Sequence, residues 1–141
     1  MQKQRLLKLA DLLEADANNP KGMKFDLRPI AIKADGREFS PGDVPKLDCG
    51  TVGCALGLAA ISGAFKDKGF SFYINEFGFW PKYKGRAARE AAESFFGIDG
   101  NESCWLFIAT SYPRHKRDGK AGELAVAKRI RDFVAGKAWP E

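Results

Sequence analysis

Residues 48 to 60 read Asp-Cys-Gly-Thr-Val-Gly-Cys-Ala-Leu-Gly-Leu-Ala-Ala, and from Cys54 to Ile61 no polar side chain interrupts the chain. A helix that is apolar all round has to be covered all round. The run is far shorter than the roughly 20 residues that a membrane helix needs, so the cover must come from the chain itself. The pattern predicts a buried helix from about Thr51 to Ser62, capped by Thr51 and closed by Gly63. Gly53 and Gly57, one turn apart, would let a second element approach closely, with Cys49 and Cys54 acting as small buried apolar residues.

Chemistry at the same stretch has two other forms. Structural zinc would recruit Cys49, Cys54, Cys104 and the lone His115. The spacing opposes it, because two helical residues five apart point about 140° from each other and Cys104 and His115 form no recognised half-site. A nucleophilic thiol would be Cys54 at the helix start, where the macrodipole favours thiolate, with His115 as its base. The nearest thiol-protease signature is broken here, since the tryptophan that follows a cysteine is at Cys104-Trp105. The expectation is therefore no metal, no cofactor and no firm catalytic residue, with Cys54 and His115 as the weak candidates.

The remaining pattern supports one α+β domain over residues 1 to 141, with about four main helices around the central one and a small antiparallel sheet. Leu6, Leu9, Ala10 and Leu13 recur at helical spacing over residues 3 to 16, and Asn18-Asn19-Pro20 ends the helix. Met23, Phe25, Leu27, Ile30 and Ile32 suggest a strand, with Asp35-Gly36 turning it into a hairpin through Phe39. Phe70, Phe72 and Ile74, then Phe77, Phe79 and Trp80, suggest two more strands. Helices are expected from Gly85 to Gly97, from a cap at Asn101 through Phe107, and from about Gly122 to Val134.

Three cysteines without a secretory pattern, and an N-terminus that leads into an amphipathic segment, predict reduced thiols and a cytoplasmic chain. Net charge is +5. Lysine and arginine outnumber acids by 11 to 10 in residues 1 to 80, but by 12 to 8 in residues 81 to 141. Two segments concentrate the excess. Trp80 to Arg86 interleaves Trp80 and Tyr83 with Lys82, Lys84 and Arg86 just before a helix whose first amides would attract an anion. Tyr112 to Lys120 adds Arg114, His115, Lys116, Arg117 and Lys120 in a loop. Cations beside stacking aromatics suit phosphate backbones and bases, and equally acidic protein surfaces. Glu90 and Glu93, interleaved with Arg86 and Arg89, read as a solvated face rather than an acid–base pair.

The order of these features resembles small uncharacterised proteins of bacteriophages and prophages. The residues that carry the resemblance are Phe25-Asp26, the Cys-Gly-Thr-x-x-Cys-x-x-Gly motif from Cys49 to Gly57, Phe95-Phe96-Gly97, Leu106-Phe107 and the Val-Ala-x-x-Ile pattern from Val126. The resemblance implies a genomic context rather than a chemistry. In that context the expected function is a small non-enzymatic binding protein that docks on an acidic protein surface or nucleoprotein complex. It would inhibit a host-defence or nucleic-acid-processing machine, in the manner of an anti-CRISPR protein. Direct nucleic-acid binding and a cysteine-dependent hydrolase using Cys54 and His115 are the alternatives.

Overall fold

A computed structural model describes residues 1–137 of the chain. The fold is α+β, as the patterning predicts, but the apolar run divides differently. Thr51–Gly53 is a strand, β3, and only Ala55–Ile61 is helical (α2). Cys54, extended in φ and ψ, stands at the N-cap, so Thr51 does not cap the helix. Gly63, with φ +71°, follows its last turn.

Strand β3 is the hub of a three-stranded sheet. On one side β1 (Lys24–Phe25) pairs with it in parallel, and on the other β2 (Ala31–Lys33) runs antiparallel. The sheet is therefore mixed rather than purely antiparallel. Asp35-Gly36 does turn the chain, with Lys33 N–H donating to Arg37 O at 2.9 Å, yet no strand follows through Phe39. The ladder of β2 is taken up by β3 instead. The close approach expected at Gly53 and Gly57 is present, and its partner is the backbone at Ile30. A Cβ on Gly53 would stand 2.7 Å from Ile30 O, and one on Gly57 would collide with the same atom. Cys54 N–H donates to that carbonyl at 3.1 Å, which fixes α2 against the sheet.

A second sheet is an antiparallel meander of β4 (Ser71–Asn75), β5 (Gly78–Tyr83) and β6 (Arg86–Ala87). Tyr83 faces Arg86 across a two-residue turn, Lys84-Gly85, with φ of +47° and +77°. Two positive φ values are what a type I′ hairpin requires. Helix α3 (Ala88–Phe96) therefore starts after β6, and the helix expected from Gly85 is displaced by a strand.

Helix α4 (Gly100–Phe107) is capped by Asp99 rather than Asn101. Asp99 Oδ1 accepts from Glu102 N–H at 2.8 Å while Glu102 Oε1 accepts from Asp99 N–H at 2.9 Å, a reciprocal capping box. The last helix, α5 (Gly119–Val134), begins three residues earlier than its apolar period indicates.

Helix α1 (Lys3–Ala17) makes its most extensive contact with α5, each contributing a buried stripe: Leu6, Leu9 and Leu13 from one, Val126 and Ile130 from the other. Arg131 pins the pair by bonding Asp11 at 2.5 Å and Glu14 at 2.6 Å. A phenylalanine cluster fills the space under α3. Phe95 lies 4.8 Å from Phe70, 5.0 Å from Phe96 and 5.2 Å from Phe65 between ring centres, distances typical of attractive aromatic pairs.

Candidate anion-binding surface

The cations singled out in the sequence do not form one surface. Trp80, Lys82, Tyr83, Lys84 and Arg86 belong to the β5–β6 hairpin, while Arg114, His115 and Lys116 form an exposed 3-10 turn before α5. Lys120, in the first turn of α5, lines a different cleft. Arg117 is committed to the fold, its Nε donating to Tyr112 O at 2.9 Å and its carbonyl accepting from Leu27 N–H at 2.9 Å.

On the hairpin, side chains alternate across the sheet. Phe79 and Tyr83 fall on the buried side, where Tyr83 meets Phe95 edge-on at 5.1 Å, so its ring cannot stack on a ligand. Trp80 and Lys82 fall on the other side. Trp80 stands directly across from Tyr73, which is 38% exposed, and its indole N–H donates to Asn75 Oδ1 at 2.9 Å. Tyr73, Lys82, Lys84 and Arg86 border a groove of about 400 Å³. Tyr73 is a residue that sequence reasoning passed over, although its place between the inward Phe72 and Ile74 is the signal that marks it as outward.

The more developed arrangement is on α5. The guanidinium of Arg129 lies between two rings, its carbon 3.6 Å from the Trp105 ring centre and 3.5 Å from that of Tyr112. Its Nη1 donates to Trp105 O at 2.8 Å, Ser111 O at 2.9 Å and Ser111 Oγ at 3.1 Å. Tyr112 is fixed in turn, its hydroxyl donating to Leu106 O at 2.7 Å. Burial pushes the Tyr112 phenol well above its ordinary range and draws the Arg129 guanidinium down, the neighbouring phenol partly opposing that. A guanidinium nonetheless keeps its charge at neutral pH, and stacking plus hydrogen bonding is how a protein holds one partly buried.

Around this clamp runs a groove of about 460 Å³ whose lining includes Lys116, Lys128, Arg129 and Lys137. Among the described residues a single carboxylate, Asp132, faces them. It binds Lys128 at 2.8 Å and Lys137 at 3.2 Å, and those ammonium groups hold its carboxyl below the usual range. Among the described residues, four cations against one anion make this a positive groove with an aromatic floor. Sequence reasoning reached Lys116 but missed Arg129, because a charged residue beside the inward Ile130 reads as the solvated flank of an amphipathic helix.

The thiols are dispersed. Cys54 is buried and burial pushes its thiol up despite amides of α2 aimed at it, the opposite of an activated nucleophile. His115 is exposed on its turn. Cys49 is exposed rather than buried, and exposed Cys104 accepts from Arg89 Nη1 at 3.1 Å. Among the described residues no group of three or more His, Cys, Asp or Glu side chains could hold a metal ion, and no helix is long and apolar enough to cross a membrane. Comparison of the chain with protein-family models, with curated protein sequences and with solved structures finds no match.

Proposed function

We propose that this chain is a non-enzymatic binding protein whose α5 groove docks on an acidic partner. The observation that carries the reading is the clamped Arg129 among Lys116, Lys128 and Lys137. A rigid, partly desolvated guanidinium ringed by exposed ammonium groups suits carboxylates on a protein surface, where stacked arginine and tryptophan commonly anchor an interface. Taken with the resemblance to phage and prophage proteins, the partner class is a host-defence or nucleic-acid-processing complex, and the action is inhibition in the anti-CRISPR manner. Neither Cys54 nor His115 has a role in this reading.

Direct binding of nucleic acid is the second reading, favoured by the Tyr73–Trp80 pair beside Lys82, Lys84 and Arg86. Single strands need stacking rings next to cations.

The test is capture of partners from bacterial lysate by tagged protein, with and without nuclease, comparing wild type with the Lys116→Glu/Lys128→Glu double variant. A stoichiometric protein that survives nuclease and is lost from the variant supports the first reading, with affinity lower by about tenfold or more and a flatter salt dependence. Recovery of nucleic acid alone, undiminished by the double variant and lost with Lys82→Glu/Lys84→Glu, moves the site to the hairpin. Arg117 is left intact in both, because its side chain supports Tyr112.

A further inference from the structure

Strand β4 is the free edge of the second sheet, where only β5 pairs with it. The two-residue turn Glu76-Phe77 joins Asn75 directly to Gly78, so those two residues must exchange both of their backbone hydrogen bonds. Alternation from that fixed point makes Tyr73 and Trp80 a bonded pair, and leaves Phe72 opposite Pro81 and Ile74 opposite Phe79 as unbonded pairs. Pro81, which has no N–H to give, fits that parity. The N–H and C=O groups of Phe72 and Ile74 therefore point away from β5, and among the described residues no backbone hydrogen bond reaches them from beyond the hairpin.

Natural edge strands are protected by lysine, proline, a bulge or a covering element. Strand β4 reads Ser-Phe-Tyr-Ile-Asn, without a charge or a proline, and its ladder with β5 runs through five consecutive residues without a bulge. None of the five is fully buried; Tyr73 is 38% exposed, and Phe77 in the turn beyond is 72% exposed. We infer that this edge is a dimerisation surface, on which β4 of a second copy of the chain pairs antiparallel about a two-fold axis at Tyr73.

The strand is chemically symmetric about Tyr73, which is what a two-fold demands of a surface that must complement itself. In that register Phe72 meets Ile74 of the second copy and Ile74 meets its Phe72. Each pair exchanges two hydrogen bonds, so every outward N–H and C=O of these residues is answered. Ser71 falls beside Asn75 of the second copy, and Tyr73 beside its own counterpart. No like charges meet along the strands. At either end the register sets exposed Glu76 opposite Phe70 of the second copy, next to a turn whose exposed Lys66 and Lys68 outnumber Asp67. Opposite charges thus close the pairing at both ends. The two three-stranded sheets become one of six strands, with Trp80 and Tyr73 of both copies in a single row on its outer face. A strand of another protein could satisfy the same amides, but it would have no need of this symmetry. Arg129 and the lysines of the α5 groove lie outside the edge, so the inference stands apart from the reading of that groove.

The experiment is sedimentation equilibrium of the nuclease-treated whole chain over a range of concentrations. A reversible species of twice the 15.5 kDa chain mass is expected at micromolar concentrations and above. Tyr73→Lys sets two like charges face to face on the axis, yet supplies a residue natural to edge strands. It should weaken the dimer by about tenfold or more while the circular dichroism spectrum of the folded chain is kept. Tyr73→Cys, made together with Cys49→Ser and Cys104→Ser, reads the register directly. Opposed residues of an unbonded antiparallel pair have Cα atoms about 4.5 Å apart, within reach of a disulfide. Oxidised glutathione should therefore link that variant into a covalent dimer, whereas Lys82→Cys in the same background, one strand back from the edge, should stay unlinked. Lys116→Glu/Lys128→Glu should sediment as wild type does. A monomer at every concentration, whether or not the edge takes up a strand of another protein, would overturn the inference. So would a dimer that Tyr73→Lys leaves intact, or equal linking of Tyr73→Cys and Lys82→Cys.

Discussion

Arg129 and Glu123 sit less than two turns apart on α5, and the structure treats the two charges in opposite ways. Arg129 is sandwiched by two rings and answered by three oxygens, so its charge is retained and held still. Glu123 is more deeply buried, meets the carboxyl of Asp16, and surrenders its charge to a proton. One helix thus carries a permanent cation and, less than two turns away, a carboxyl that keeps its proton. The difference lies in the neighbours, since burial alone disfavours both charged forms.

A change outside both places sets the scale. Gly57→Ala drives a methyl group into the Ile30 carbonyl, where backbone rather than a movable side chain must give, and a loss of about 3 kcal/mol or more is expected in urea denaturation. Next comes Arg129→Met, which keeps the length but deletes the stacked charge and three hydrogen bonds. A loss of about 2 to 3 kcal/mol is expected, and a loss under about 1 kcal/mol would dissolve the contrast by showing the clamp to be ornamental. The acid should respond to pH instead. Below its ordinary value of 4.5, Glu123 is protonated folded and unfolded alike. As pH rises from there toward about 10, only the folded state keeps the proton, so stability falls. The melting temperature of wild type should decline through that window and Glu123→Gln should decline less. Parallel curves would mean that the proton is not held there. Smallest of all is Lys128→Ala, which removes an exposed pair with Asp132 and should cost about 0.5 kcal/mol or less, measured by the same denaturation.

The α+β class was legible because Leu6, Leu9 and Leu13, and later Val126 and Ile130, repeat with the helical period, and their stripes are buried where that period puts them. The close packing at Gly57 was legible too, since a glycine inside an apolar helix has few other uses. Strand β3 was not. Three residues are too few to show a period of two, and Gly53, the one breaker before the helix, reads equally as a close-packing position inside it. The cap at Asp99 was hidden behind Asn101, although Asp99-x-x-Glu102 is itself a capping-box signature. For these two residues of α5 the sequence holds almost no signal. Arg129 becomes an anchor only because Trp105 and Tyr112 arrive from α4 and the turn after it, and Glu123 holds its proton because the fold buries it and the end of α1 comes to rest beside it.

That first and last helices share an interface has a consequence for how the chain is made. Synthesis delivers Leu6, Leu9 and Leu13 long before their cover, Val126 and Ile130. Until α5 leaves the ribosome, the apolar side of α1 lacks its largest native partner, and the loop closed when the two meet spans most of the molecule. The α1–α5 interface is therefore expected to close only after α5 has emerged. A chain cut short before α5 is expected to be held by chaperones or degraded rather than to persist as a smaller working unit.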